Sequence, residues 1–144
     1  MKKMEKKRLF KILSKADRSE VIRLGREIQN QYSVTVVKKP EKALTMIKMR
    51  EPVKNSLFYL GEVIITEAVV SIEETLGTAA VMGDDFDKTL YMAIIDAACN
   101  KGVFKHEKLL LEWERHQNEM VEKENAMLHQ TKVNFRSMDS EVTE

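Results

Sequence analysis

The stretch LFYLGEVIITEAVVSIEETLGTAAVMGDDFDKTLYMAIIDAA, residues 57–98, decides the fold of this chain. Its first half is rich in Val, Ile, Phe and Tyr and is interrupted by Gly61, by Glu73-Glu74 and by Gly77. This pattern predicts two or three short strands with a turn between them. After Gly83 the apolar residues recur at steps of three and four, which is the period of a helix. A sheet followed by an alanine-lined helix predicts the core of a small α+β domain.

The start of that helix carries its own signal, because Asp84, Asp85 and Asp87 lie at its first turn. An aspartate there can cap the free N–H groups and complement the helix dipole. The predicted apolar face comprises Phe86, Leu90, Ile94, Ala97 and Ala98. The helix is therefore expected to pack on the sheet that precedes it.

The residues before position 57 predict two helices and further strands. Apolar spacing indicates helices near residues 9–13 and 21–28, and Asp17 or Ser19 can cap the second. A β-rich segment at 32–37 is expected to end at Pro40, and an alternating segment at 43–50 leads to a turn at 51–56. Together with the strands after residue 57, this predicts an antiparallel sheet of about four or five strands.

A long C-terminal helix is predicted because residues 103–130 contain neither proline nor glycine. Its partly apolar stripe consists of Leu110, Trp113, Met120, Met127 and Leu128. At 1.5 Å per residue such a helix would reach about 40 Å, roughly the width of the whole domain. Part of it is therefore expected to dock on another protein. A bent pair of helices folded back on the sheet is the alternative.

Composition indicates one domain spanning residues 1–144, with 24 Lys and Arg against 23 Asp and Glu and a net charge of +1. The basic residues 1–8 and the acidic residues 139–144 are expected to be flexible, solvated ends. A basic arm for nucleic acid is the alternative, and it is disfavoured because no aromatic side chains lie between the lysines. Without a signal peptide or a membrane-length apolar segment, the protein is expected to be cytoplasmic.

The chain carries few of the residues that a self-sufficient catalytic site requires. Cys99 is the only cysteine, which excludes an intrachain disulfide, and it is expected to be buried and inert. His106, His116 and His129 do not have the four-residue spacing that places two metal ligands side by side on a helix. Glu112, one turn before His116, is an ion-pair candidate only. Neither glycine-rich phosphate-loop pattern occurs, so we expect no cofactor and no metal on this chain.

Three carboxylates, Glu62, Glu67 and Asp96, lie among apolar neighbours. A charge buried in such surroundings costs several kcal/mol unless it is paired or hydrogen-bonded. Each carboxylate is therefore expected to face solvent or to have a partner. Glu67 would be solvated on an edge strand and Asp96 would pair with a lysine such as Lys101 or accept from a backbone amide. The alternative is that both meet another subunit, and for Glu67 we favour a partner on that subunit.

Several of these residues occur in an order that resembles the G subunit of the bacterial phosphonate carbon–phosphorus lyase system, the PhnG family. The matching elements are Phe58-x-x-Gly61-Glu62-Val63-x-x-Thr66-Glu67-Ala68-x-Val70, Gly77, Gly83-x-Asp85 and Ala93-x-x-Asp96-Ala97-Ala98. The segment Thr131-Lys132-Val133-Asn134-Phe135-Arg136-Ser137-Met138 resembles the closing T-R-V-x-F-x-T-M element of the family. The sequence departs from the family pattern at Asp84, Lys132, Asn134 and Arg136, where Arg, Arg, Asp and an aromatic residue are usual.

The resemblance implies an accessory subunit of the carbon–phosphorus lyase core complex, assembled with the H, I and J subunits and acting with the L protein. The complex would serve the synthase step, in which an alkylphosphonate displaces the adenine of MgATP to give α-D-ribose 1-methylphosphonate 5-triphosphate. MgATP is then a substrate of the complex. The family assigns the nucleosidase chemistry chiefly to the I subunit, so this chain is expected not to be catalytic alone. The candidate interface residues are Gly61, Glu62, Thr66, Glu67, Gly83, Asp85, Asp96, Lys132 and Phe135.

Two other classes of function stay open at this point. One is a free-standing adaptor or nucleic-acid-binding α+β module, which would use the basic N-terminus. The other is a small enzyme that works without partners. The sequence also leaves both a monomer and a homodimer open for the isolated chain.

Overall fold

The computed structural model describes residues 4–131 and residue 133, so Lys132, Phe135 and the acidic residues 139–144 lie outside the described part. The fold is α+β, as predicted, and its elements follow one another as helices, an antiparallel sheet and further helices. They are α1 (Lys6–Lys15), α2 (Arg18–Gln31), β1 (Val34–Arg50), β2 (Leu57–Ile72), β3 (Thr75–Met82), α3 (Phe86–Lys101) and α4 (Glu107–His129).

The prediction of four or five strands is wrong, because the described residues form a sheet of three strands in the order β1-β2-β3. The two segments expected on either side of Pro40 are one strand. Pro40 lies in a register irregularity between Lys38 and Glu41, on a strand that is at the edge of the sheet. Proline is tolerated there because no ladder hydrogen bond is lost. Gly61 likewise continues β2 instead of interrupting it.

The turn expected at Glu73-Glu74 is confirmed and connects β2 to β3 as a two-residue hairpin loop. Both glutamates have positive φ, 45° and 74°, which is the backbone form that matches the twist of a tight hairpin. The turn predicted at residues 51–56 also lies between two strands, β1 and β2. The sheet is therefore a meander of two consecutive hairpins.

Helix α3 is the centre of the core, and every residue from position 92 to 98 is buried. It packs on the face of the sheet that carries Ala68, Val70 and Ile72. Gly77 of β3 allows the closest approach, because a Cβ at this position would overlap the carbonyl oxygen of Ala93 and the amide nitrogen of Ala97. The predicted alanine-lined helix on a sheet is confirmed.

Helices α1 and α2 cover the other side of α3, contributing Leu9, Leu13, Val21 and Leu24 to the core. The long helix α4 is confirmed, but it begins at Glu107 and only its first half reaches the rest of the domain. Leu110 is buried, and the Gln117 side chain donates to the carbonyl of Ile12 at 3.1 Å. After Glu119 every described side chain of α4 is exposed.

The hairpin of β1 and β2 extends beyond the third strand. Strand β3 pairs with β2 from Ile65 to Ile72, whereas β1 continues to pair with β2 as far as Leu57. Residues 44–64 therefore form a two-stranded ribbon, which we call the ribbon from here on. No third strand covers it within the described residues.

The N-terminal residues differ in part from the expectation of a flexible end. Helix α1 begins at Lys6, so positions 6–8 of the predicted flexible segment are helical. Across residues 4–131, no helix combines the length and the apolar character needed to cross a membrane.

Candidate functional site

The matched residues Thr66, Gly83 and Asp85 meet at the corner where β3 leads into α3. The Thr66 hydroxyl, fully buried, donates to the carbonyl of Gly83 at 2.8 Å. Gly83 has a φ of 97°, and its N–H donates to the carbonyl of Ile64 at 2.9 Å. Asp85 is the N-cap of α3 and accepts from the N–H of Lys88 at 3.1 Å. Because their polar groups are satisfied inside the chain, these residues build the corner of the fold.

A cluster of charges fixes helix α2 to this corner. The Arg18 guanidinium donates to Asp85 at 2.9 Å and to Asp87 at 3.1 Å, and these carboxylates raise the pKa of Arg18. The Lys88 ammonium donates to the carbonyls of Ser14 and Ala16. Burial lowers the pKa of Lys88, since removal from water disfavours the charged form. The aspartate cap predicted from sequence is confirmed at Asp85.

Asp96 is buried and has its partners inside this chain. Its carboxylate accepts from the N–H of Thr78 at 3.0 Å and from the side chain of Asn100 at 3.4 Å. The Lys6 ammonium lies 3.4 Å away. The expected backbone amide is therefore confirmed, but the lysine is Lys6 instead of Lys101, which pairs with Glu73. Its side chain is 2% exposed and its partners lie within this chain. The alternative that Asp96 meets another subunit stays a prediction.

Glu67 lies on the central strand β2, so its predicted place on an edge strand is wrong. Its carboxylate accepts from the Lys38 ammonium of β1 at 3.2 Å, and both side chains stay partly exposed. The structure thus supplies a partner within the chain. Whether Glu67 also contacts another subunit stays a prediction.

Gly61 and Glu62 lie in the ribbon, opposite Ile47 and Met46. A one-residue bulge separates the pair Ile47 and Gly61 from the pair Lys48 and Tyr59. No atom lies within 4 Å of a Cβ built on Gly61, and Glu62 is exposed. The matched positions therefore divide into a satisfied corner in the core and an open ribbon. Lys132 and Phe135 are outside the described residues.

The ribbon is the feature that sequence reasoning missed, because each of its strands was interpreted as part of a larger sheet. Its apolar side chains are uncovered on both faces. The exposed ones are Leu44, Met46, Met49, Val53, Leu57, Phe58, Tyr59, Leu60 and Ile64. Contiguous apolar surface of this kind marks interaction sites in soluble proteins. The signal in the sequence was the density of apolar residues on both faces at residues 57–64.

The distal half of α4, residues 120–129, presents a second uncovered apolar surface through Met120, Val121, Met127 and Leu128. Its first half is attached by Arg8, which donates to Glu114 at 2.7 Å. That hydrogen bond lowers the pKa of Glu114 and raises the pKa of Arg8. Arg8 was expected to lie in a solvated end, and local sequence pattern does not indicate this distant contact.

The histidines make separate contacts. His106 lies 3.0 Å from Glu27, and His116 lies 3.9 Å from Glu119 instead of pairing with Glu112. In the described part of the chain, no three side chains of His, Cys, Asp or Glu come together to hold a metal ion. What this part of the molecule presents is a small α+β scaffold with two uncovered apolar surfaces, which is the form of a protein that acts through association.

Comparison with known protein families identifies the family of this chain. The sequence model of the family described as phosphonate metabolism protein PhnG matches residues 4–139. The chain belongs to the PhnG family, and its role lies in phosphonate metabolism. A search of curated proteins found no match.

Proposed function

We propose that this chain is an accessory subunit of the carbon–phosphorus lyase core complex in the cytoplasm. There it supports formation of α-D-ribose 1-methylphosphonate 5-triphosphate from MgATP and an alkylphosphonate. It assembles with the H, I and J subunits, and the L protein joins them for the synthase step. Membership of the phosphonate metabolism family supports the pathway. The catalytic residues lie on the other subunits in this proposal.

The ribbon is the observation that carries the proposal. Leu44 is 67% exposed and Leu60 58% exposed, and Ile64 lies beside Leu44 across the two strands. A two-stranded ribbon alone is only marginally stable in water, whereas a third strand or a packed partner stabilises it. A partner that covers these side chains gains about 25 cal/mol per Å² of apolar surface removed from water. The ribbon is thus suited to lie against another subunit.

The distal half of α4 gives the proposal a second point of support. Met and Leu dominate its uncovered stripe, and flexible Met side chains adapt well to a partner surface. The ribbon extends from one end of the sheet, while this stripe begins beyond Gln117, whose side chain donates to the carbonyl of Ile12 in α1. Two separate apolar surfaces favour a chain that contacts its complex at more than one place.

Among residues 4–131, the contacts of the basic segment do not favour the nucleic-acid-binding alternative. Lys6 is held by Asp96 and Thr78, and Arg8 is held by Glu114. Two cations of the basic N-terminal segment are therefore already neutralised within the fold, which reduces the positive field available to a phosphate backbone.

The test is co-expression with the H, I and J subunits, with the affinity tag on the I subunit. We expect the unaltered chain to co-purify, and Leu44→Asp with Ile64→Asp to reduce its recovery by about tenfold or more, because buried charges oppose docking. Asn30→Asp on the exposed side of α2 is the matched control and should leave recovery unchanged. Full recovery of the ribbon variant, with an intact fold by circular dichroism, would remove the ribbon from the interface.

Activity gives an independent readout. The purified chain alone is expected to release no adenine from MgATP in the presence of methylphosphonate, since the chemistry is assigned to other subunits. Adding it to the other subunits should raise their rate of adenine release. Robust adenine release by this chain alone would contradict the accessory role.

A further inference from the structure

The outer edge of strand β3 is closed over its first half and open over its second. The N–H of Thr78 is bound by Asp96, which shows that alternate residues of β3 direct their backbone groups away from β2. One step earlier, the carbonyl of Leu76 accepts from Asn100 at 2.9 Å. Two and four residues after Thr78, the outward N–H and C=O groups of Ala80 and Met82 have no hydrogen-bond partner in the part of the chain that the structure describes.

A groove of about 510 Å³ lies along this open half of the edge, between β3 and α1. Its volume is within the roughly 300–1,000 Å³ of ligand-binding clefts in proteins. Phe10 and Val81, both partly exposed, provide apolar lining, and Lys7 and Lys11 lie on its α1 side. Both lysines are exposed, and among residues 4–131 neither belongs to a salt bridge.

We propose that this groove receives an extended, acidic segment of a partner chain, which adds to β3 as a short fourth strand. The open N–H and C=O groups of Ala80 and Met82 would pair with the main chain of the segment. Strand addition of this kind draws affinity from main-chain hydrogen bonds and specificity from side-chain pockets. Lys7 and Lys11 then face its carboxylates, and the apolar lining takes the alternate side chains.

Charge decides between candidate occupants. A second copy that paired its own β3 edge would bring the same lysines together, and like charges across an interface oppose association. Strand β1 carries Lys39 and Lys42 beside a single glutamate, Glu41, while Lys38 is paired with Glu67, so its remaining charge is positive and it is also unsuited to this groove. An acidic segment on another protein fits the charge of the rim. The groove and its lysines are present whichever complex the chain joins.

The probe is a fluorescein-labelled, end-capped peptide of alternating glutamate and valine, titrated with the full chain and followed by fluorescence anisotropy. We expect saturable binding that weakens with salt, since screening reduces contacts between exposed charges. A lysine-valine peptide and a glutamate-valine peptide with N-methylated main-chain nitrogens should bind at least tenfold more weakly. Equal binding of the N-methylated peptide would overturn strand addition.

Variants of the chain make the test specific. Lys7→Glu with Lys11→Glu, and separately Ala80→Pro, should each weaken binding by tenfold or more. Ala80→Pro removes an outward N–H that makes no bond in the sheet, so the strand is expected to persist. Lys123→Glu on the exposed half of α4 is the matched control. If Ala80→Pro fails to fold, the N-methylated peptide tests the same main-chain hydrogen bonds. Unchanged binding by the Lys7→Glu with Lys11→Glu variant would overturn the role assigned to the two lysines.

Two other occupants of the groove would give different experimental results. A peptide of residues 133–144 of this chain that bound tenfold more tightly than the glutamate-valine peptide would make the chain's own end the occupant and overturn the partner. A dimer in sedimentation that Ala80→Pro dissociates would assign the groove to a second copy and overturn it equally. Absence of binding at millimolar chain would reject the site.

Discussion

At the scale of single residues, the carboxylate of Asp96 connects three elements at once. It lies on α3, caps a main-chain N–H of β3 and faces the ammonium of Lys6 on α1. Burying a carboxylate costs free energy unless hydrogen-bond donors satisfy it. The Thr78 N–H and the Lys6 ammonium supply such donors, so an aspartate is accepted in this apolar helix. These internal contacts give Asp96 a structural role in the fold.

Asp96→Ala should lower the free energy of unfolding by about 1–3 kcal/mol, because the hydrogen bond between the Thr78 N–H and the buried carboxylate is lost. Asp96→Asn keeps an oxygen acceptor and is expected to cost less. The measurement is urea unfolding of the isolated chain. Glu122→Ala, on the exposed half of α4, is the control and should stay within about 0.5 kcal/mol of the unaltered chain. Equal stability of Asp96→Ala and the control would contradict this role.

Substitution by alanine should affect stability at only one of two glycines in the matched elements. Gly77→Ala forces a methyl group into the main chain of α3 and should cost about 1–3 kcal/mol of stability. Gly61→Ala meets open space and should change stability by less than about 0.5 kcal/mol. Thermal melts of both variants measure the contrast. If the two melted alike, the close packing of β3 on α3 would be refuted.

Glu67 has Lys38 as its partner, and both side chains remain in contact with water. Such a pair contributes about 0–1 kcal/mol, so Glu67→Gln should leave the melting temperature nearly unchanged. A binding titration against the I subunit measures the second effect. A tenfold loss of affinity would show that Glu67 also contacts the I subunit. Unchanged affinity would show that its only important partner is Lys38.

At the scale of elements, helix α4 has two halves with different physical roles. Its first half is fixed to α1 by Arg8, Glu114 and Gln117, and Leu110 enters the core. Its second half is exposed throughout. A truncation from Leu110 onward would therefore remove part of the core.

The contact between Arg8 and Glu114 predicts a pH effect on stability. The pKa of Glu114 is lowered in the folded chain, so its carboxylate stabilises the fold above the ordinary glutamate pKa near 4.5. That contribution is lost as pH falls through the lower folded value. The stability difference between the unaltered chain and Glu114→Gln should shrink between about pH 7 and about pH 3. Glu122→Gln should show no such convergence, and a constant difference for Glu114→Gln would contradict the pairing.

At the scale of the whole molecule, the chain is a helix-covered sheet from which a ribbon and half a helix extend. The core accounts for the fold without either extension, since its buried residues come from α1, α2, the paired part of β2 and β3, α3 and the start of α4. The two extensions carry most of the exposed large apolar side chains, and the buried core does not depend on them.

A chain that ends after Glu119 should keep its fold and lose affinity for the complex. The described side chains that it removes, at 120–131 and 133, are all exposed, so the melting temperature is expected to change little. Co-purification with the tagged I subunit should fall by about tenfold. The double variant Glu122→Gln with Lys123→Gln keeps the helix and its apolar stripe and is the control. Undiminished recovery of the shortened chain would exclude the distal half of α4 from the interface.

The sequence by itself determined the α+β class, the four helices, the hairpin turns, the Asp85 cap and the family, because each depends on local periodicity, capping chemistry or residue order. It also predicted that α4 is too long for its own core. The number of strands, the partners of Asp96 and Glu67, the ribbon and the open half of the β3 edge were decided only by tertiary structure. Each depends on which distant segments pair and on where their pairing stops. The alternation of side chains along one strand does not specify where the neighbouring strand ends.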